Sequence, residues 1–209
     1  MTFLPRASEL QEAAVKKIDD FLPRLAKKKG TYVRAADEAG ANHVLAMELS
    51  LCAVRAELGM WLKVKQEDPD GAWDNLITAQ DLLEAAIAVL RQTEADATVF
   101  ENLLRKLLFV EAYVFPPQMF NSIGGTVGRR ECSICGGDYE DCDHIRGRAY
   151  MGRVCYTIVH ELKQIKEISL VTNPEDKRCR VTHVSDSGRT RNKMTWRIED
   201  GQGATEGRL

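Results

Sequence analysis

Apolar residues recur at threes and fours through the first 115 positions and then change to a shorter, strand-like rhythm. Leu10, Ala14, Ile18, Phe21, Leu22 and Leu25 mark a first amphipathic helix, with Ser8-x-x-Gln11 read as its capping box. Pro23 is expected to kink or end that helix, and Lys27-Lys28-Lys29-Gly30 reads as its polar stop, cations at the negative end of the dipole. A second helix is expected from about Thr31 to Gln66, on Val44, Met47, Leu51, Val54, Leu58, Trp61 and Leu62, with Gly40 as a possible break. Asp68-Pro69-Asp70-Gly71 is a turn signal. A third stripe follows on Leu76, Leu83, Ile87 and Leu90. Thr93 to Asp96 interrupts it and caps a further segment through Val99, Phe100, Leu103, Leu104, Leu107, Leu108 and Val114, closed by Pro116-Pro117. Antiparallel helices around one core account for this half. Trp61 and Trp73 are placed to pack across the turn, Cys52 reads as a small buried hydrophobe, and His43 as a structural histidine.

Residues 116–130 are rich in glycine and proline and read as a linker. Gly124-Gly125 with Gly128 would suit a phosphate cradle, but no Gly-Lys-Ser/Thr follows. Beyond it, Ala149 to Val159, Glu167 to Thr172 and Cys179 to Val184 favour strands, Met194 to Ile198 reads as a last strand or a tail that docks, and Glu161 to Ile165 as a short helix or turn. The division is therefore 1–115 helical bundle, 116–130 linker, 131–198 β-rich module and 199–209 a polar, disordered tail. The fold class is α+β.

The densest chemistry is Cys132-Ser-Ile-Cys135-Gly-Gly-Asp-Tyr-Glu-Asp-Cys142-Asp-His144, a C-x2-C-x6-C-x-H pattern. A Cys-x-x-Cys turn relaxed by glycine aims two sulfurs at one point, and a second pair completes a tetrahedron. Cys132, Cys135, Cys142 and His144 are thus the expected ligands of a structural Zn2+. A module of this size is marginal on its own core, so the metal would supply much of its folding free energy.

Other constellations compete. Asp143-His144-Ile145 resembles the Asp-His-Ile step of HNH-type nucleases; Asn173 and His183 would then complete the catalytic set, with Cys132, Cys135 and Cys179 on a structural zinc. Cys155, His160, Cys179 and His183 would make a second metal site. Lys177, Arg178, Arg180, Arg189, Arg191, Lys193 and Arg197 form a basic cluster through which nucleic acid is a candidate partner, against a solvated strand and tail as the plainer account.

Composition adds limits. The chain has 209 residues and a formal charge of −2. That charge gives no global argument for nucleic acid or membrane. Through Phe115 there are 14 Lys+Arg against 18 Asp+Glu, so the helical half carries the acidity. No apolar run approaches a bilayer span, and the first residues lack a secretory pattern. A cytoplasmic location with reduced thiols is expected.

The string from Cys132 to Tyr156, followed by Glu167 to Val181, resembles a motif of uncharacterised bacterial and phage-related proteins. Glu167, Ile168, Ser169, Leu170, Val171 and Pro174 are similar to a segment of phage prohead maturation proteases, whose Ser-Ile-Gly-Phe-type nucleophile segment is not matched. The resemblance implies a β scaffold and a phage-related or antiphage setting. The expectation is a non-enzymatic, zinc-stabilised adaptor, binding a protein partner or its own copies, with an HNH-like nuclease as the alternative.

Overall fold

The computed structural model describes residues 3–186 and 189–199. Helices α1 (Phe3–Arg34), α2 (Glu38–Lys65), α3 (Pro69–Gln92) and α4 (Thr98–Val114) come first. Strands β1 (Phe120–Val127), β2 (Arg130–Cys132), β3 (Ala149–Tyr150), β4 (Arg153–Val154), β5 (Thr157–Val159), β6 (Leu162–Val171), β7 (His183–Asp186), β8 (Arg189–Asn192) and β9 (Ile198–Glu199) follow. The architecture is α+β, a helical bundle followed by small antiparallel sheets. No helix among the described residues is long and apolar enough to cross a membrane.

The first helix corrects the sequence expectation. It begins before Ser8, runs through Pro23 and the lysine run, and ends at Arg34. Proline costs an interior helix one hydrogen bond, but its neighbours Leu22 and Ala26 line a shared groove with Leu45 and Leu49 of α2, and Leu25 is buried. Lys29 does not cap an end; it reaches Glu48 of α2. Packing between helices thus overrides the local stop signal. Much of the apolar stripe on α1 stays open, Leu10 being 66% exposed.

The break before α2 falls at residues 35–37, ahead of Gly40. Asp37 caps α2 by accepting the Gly40 amide at 2.8 Å. Gly40 is needed for approach and not as a breaker, since a Cβ there would sit 2.4 Å from the Tyr32 ring. The Asp68-Pro69-Asp70-Gly71 turn is also a cap: Asp68 accepts from the Gly71 amide at 2.9 Å, and Pro69 opens α3 where no amide partner is required. Asp96 accepts from the Thr98 amide at 2.9 Å and starts α4.

The main core contains Met60, Trp73, Leu76, Ile77, Leu83 and Leu107. Trp73 meets Phe115 edge-on at 5.5 Å and Phe120 at 6.2 Å; Trp61 packs on the rim of the same core. Cys52 is only half-buried and His43 is exposed, so neither sits in the interior as the sequence suggested.

The stretch read as a linker carries β1. It pairs antiparallel with β6, from Phe120 opposite Val171 to Val127 opposite Leu162, so Leu162 to Ile165 is strand and neither helix nor turn. The ladder continues through Gly128 and Arg129, which bond Glu161 and His160, into the β2–β5 pair. Gly124 and Gly128 cradle no phosphate: added Cβ atoms would meet Glu167 and Glu161, carboxylates that repel an anion. Of Cys179 to Val184, His183 and Val184 are strand, within β7, while Arg180 makes an isolated bridge to Phe120 flanked by main-chain bonds from Asn121 to Cys179 and from Val181 to Met119. Met194 docks into the helical core as a tail residue. The tail expected beyond Glu199 lies outside the described residues.

The β3–β4 hairpin ties the C-terminal part to the bundle. Gln92 of α3 bonds both the amide and carbonyl of Ala149 at 2.8 Å. Asn42 of α2, 2% exposed, accepts the Gly152 amide at 2.8 Å. Gly152 has φ of +74°, and a Cβ there would lie 2.9 Å from the Lys29 side chain. Replacing Asn42 by leucine strands that buried amide. The Asn42→Leu chain should lose about 1–3 kcal/mol in urea unfolding, and a change within about 0.5 kcal/mol would show that the docking does not need this bond.

Candidate metal centre

β2 ends at Cys132, and the chain turns at once. Gly136 donates its amide to the Cys132 carbonyl at 2.9 Å and takes φ of +72°, a conformation glycine adopts without cost. Cys132 returns an amide bond to Gly137 at 2.9 Å, closing a knuckle. The Ile134 amide points at the Cys132 sulfur at 3.4 Å. This is the local geometry that the Cys-x-x-Cys-Gly-Gly spacing predicted.

The return arm is held by two tyrosines. Tyr139 bonds its amide to the Arg130 carbonyl, and its hydroxyl accepts the Arg146 amide at 3.0 Å. Tyr150 accepts the Ile145 amide at 2.9 Å while its ring meets His144 edge-on at 4.7 Å. Cys142 and His144 are thereby swung back over the knuckle. The ligand atoms of Cys132, Cys135, Cys142 and His144 all lie within 4.8 Å of one another, a group able to hold a metal ion. The Nδ1 atom of His144 is buried and has no hydrogen-bond partner. A buried ring nitrogen without a partner carries a desolvation cost that an ion would relieve, so the residues fit a cation on electronic grounds as well as by spacing.

Cys155 extends the cluster. It is buried, and its sulfur lies 3.8 Å from that of Cys132. Burial pushes its thiol up to about 11, with the hydrogen bond to Cys132 adding to the effect. It therefore stays protonated at neutral pH and can donate S–H to the Cys132 sulfur. Burial raises the Cys132 thiol too, but hydrogen bonds from the Cys135 and Ile134 amides and from neighbouring thiols outweigh it and bring it down to about 6. Burial also raises Cys142, reinforced by the Cys132 charge and opposed by the His144 amide. Cys155, Tyr139 and Tyr150 were not recognised as parts of this site from sequence. The tyrosines flank His144 within six residues on either side, and that proximity is the signal the sequence offers.

The other expected constellations are not assembled. Among the described residues the only ligand group is the one above. His160 instead meets Glu131 at 2.9 Å, Cys179 is exposed, and His183 bonds Thr182 at 2.9 Å. The cluster takes in Cys142 and His144 and leaves out Cys179, the reverse of the nuclease arrangement. Three residues of the basic cluster clamp their loop to the bundle: Lys177 bonds Glu111 at 2.7 Å, Arg178 bonds Asp81 at 2.8 Å, and buried Arg180 bonds Asp70. The Trp73 indole donates to the Lys177 carbonyl at 2.9 Å. Arg191 bonds the Trp196 carbonyl at 2.8 Å. The acidity of the helical half thus has an internal use.

Fold and site together define a helical bundle followed by small sheets that carry a Cys3His cluster able to hold a metal ion. Comparison with known protein families, curated proteins and solved structures finds no match to the chain.

Without metal, the thiol shifts set a pH dependence. Cys132 falls from an ordinary 9.0 to about 6, so the unfolded chain binds more protons between those values and stability rises with pH there. Cys155 rises from 9.0 to about 11, so the folded chain binds more protons above 9 and stability falls. The metal-free, reduced protein should show a urea midpoint that climbs from pH 6 and passes through a maximum near pH 9. Cys132→Ser should abolish the climb; a midpoint unmoved by this substitution would refute the assignment.

Proposed function

We propose that the chain is a non-enzymatic, zinc-stabilised interaction protein. The observation that carries this reading is the approach of three sulfurs and a His144 ring nitrogen to within 4.8 Å of one another. Three thiolates and an imidazole are a donor set that favours zinc over hard cations. With four protein ligands the ion has no free position for water, so the metal acts in folding and not in turnover. Zinc would neutralise charge that Cys132, Cys135 and Cys142 accumulate on losing their protons, and His144 would be held by Tyr150 in the orientation for ligation.

An adaptor role follows from what the metal holds in place. The knuckle terminates a long two-stranded ladder at one end, and Phe120 anchors the other end in the helical core. The aliphatic side chains along this ladder, Ile123, Ile165, Ile168 and Leu170 among them, are exposed, which suits binding another protein within a larger assembly. The phage-related or antiphage setting rests on the sequence resemblance alone.

Elemental analysis of the purified chain should find about one zinc per molecule, the stoichiometry of a closed four-ligand site. Cys142→Ser should remove it and, with a chelator on the native chain, should abolish near-ultraviolet dichroism of the module while helical far-ultraviolet signal persists. A Cys142→Ser protein that keeps its zinc and its fold sinks the reading. Divalent-metal-dependent nicking of DNA that disappears in His144→Ala would replace it with a nuclease.

A further inference from the structure

β6 is ten residues long, contains neither proline nor glycine, and among the described residues pairs on one edge only, with β1. Its free edge presents amides and carbonyls to solvent, a template for another strand. A lone two-stranded ribbon is marginal in water, and a wider sheet with an apolar face is the usual remedy.

The ribbon has such a face. Register shifts between Gly124 and Gly125 and between Thr126 and Val127 leave Lys166 and Lys163 as the extra residues of two bulges. The bulges correct the side-chain alternation, so Leu162, Ile165 and Ile168 share one face despite their spacing of three. Glycine contacts agree: a Cβ on Gly124 would meet Glu167, and one on Gly125 would meet Leu162, placing Glu167 and Leu162 on opposite faces. Ile123, Val127, Leu162, Ile165, Ile168 and Leu170 are 38–67% exposed. A contiguous apolar patch of a few hundred Å2 is what marks an interaction surface.

The order of residues along β6 says what pairs there. Leu162-Lys163-Gln164-Ile165-Lys166-Glu167-Ile168 is balanced about Ile165, with aliphatics at both ends and opposite charges two positions out on either side. In a two-fold contact residue i meets j and j meets i. An antiparallel pairing centred on Ile165 sets Lys163 opposite Glu167 twice and Leu162 opposite Ile168 twice. Moving the centre to Lys166 puts that lysine against itself, and moving it to Gln164 sets Glu161 against Glu167. Lysines on an edge strand ordinarily repel a second strand; here Lys163 finds a carboxylate in the one register that also matches the aliphatics.

We propose that β6 pairs antiparallel with β6 of a second copy, about a two-fold axis at Ile165, to give a four-stranded sheet. This deepens the interaction role above by naming its partner, and rests on that role.

The test is the molar mass of the full-length, metal-replete chain by light scattering and sedimentation over a concentration series. A dimer is expected. Lys163→Glu and Glu167→Lys each turn two attractive pairs into repulsive ones and should weaken it by roughly tenfold or more; the combined K163E/E167K chain should restore it. In Ile165→Cys, mild oxidation should yield a disulfide between the two introduced thiols, identified by mass spectrometry. A chain that stays monomeric, single variants that dimerise as well as the parent, or a double variant that stays weak would each overturn the proposal. Zinc measured on the same samples separates the two readings: zinc retained with the dimer lost concerns only β6, whereas a dimer with no zinc removes the metal reading and leaves this one.

Discussion

Three thiols held with an imidazole within 4.8 Å of one another are in conflict once the thiols lose their protons, because thiolate charges at that range repel strongly in a partly buried setting. A cation at their centre converts the repulsion into attraction. In the metal-free chain, hydrogen bonds from amides and neighbouring thiols bring Cys132 down to about 6, while burial, with the bond to Cys132 adding to it, holds neighbouring Cys155 up to about 11. The end of β2 and the return arm from Ser133 to Tyr150 are arranged around that point. The knuckle bonds of Gly136 and Gly137 set one pair of ligands, and the hydroxyls of Tyr139 and Tyr150 set the other.

The metal module does not hang from the bundle on a tether. Gln92 and Asn42 each satisfy main-chain groups of the β3–β4 hairpin, and Gly152 leaves room for Lys29. A second clamp lies on the far side, where Lys177, Arg178 and Arg180 meet acids of α3 and α4 and Trp73 bonds the same loop. Salt bridges at partly exposed sites add little stability on their own. Their value here is positional, since they bring Met194 and Phe120 into contact with the helical core.

Between these two attachments the β1–β6 ribbon leaves the body of the protein. Its bulges turn an irregular sequence into a single aliphatic face, and its outer edge is unpaired among the described residues. Attachment at both ends of the ladder restricts the ribbon, and a restricted surface loses less entropy on binding than a free one.

The residues themselves determined the helical periodicity, the Asp68 and Asp96 starts, the change to strands and the four-ligand knuckle, because each is encoded within a few neighbouring positions. Tertiary structure alone decided where α1 ends, since burial of Leu25 and the pairing of Lys29 with Glu48 of α2 hold the helix together past a local stop signal. It also decided that the glycine-rich 116–130 stretch contains a strand, because β1 is stabilised by a partner roughly forty residues away, beyond the reach of local propensity. The basic cluster is the clearest case: its composition suits phosphate, yet Glu111, Asp81 and Asp70 lie beside it only once the helices are stacked, and charge pairing depends on distance in space and not along the chain.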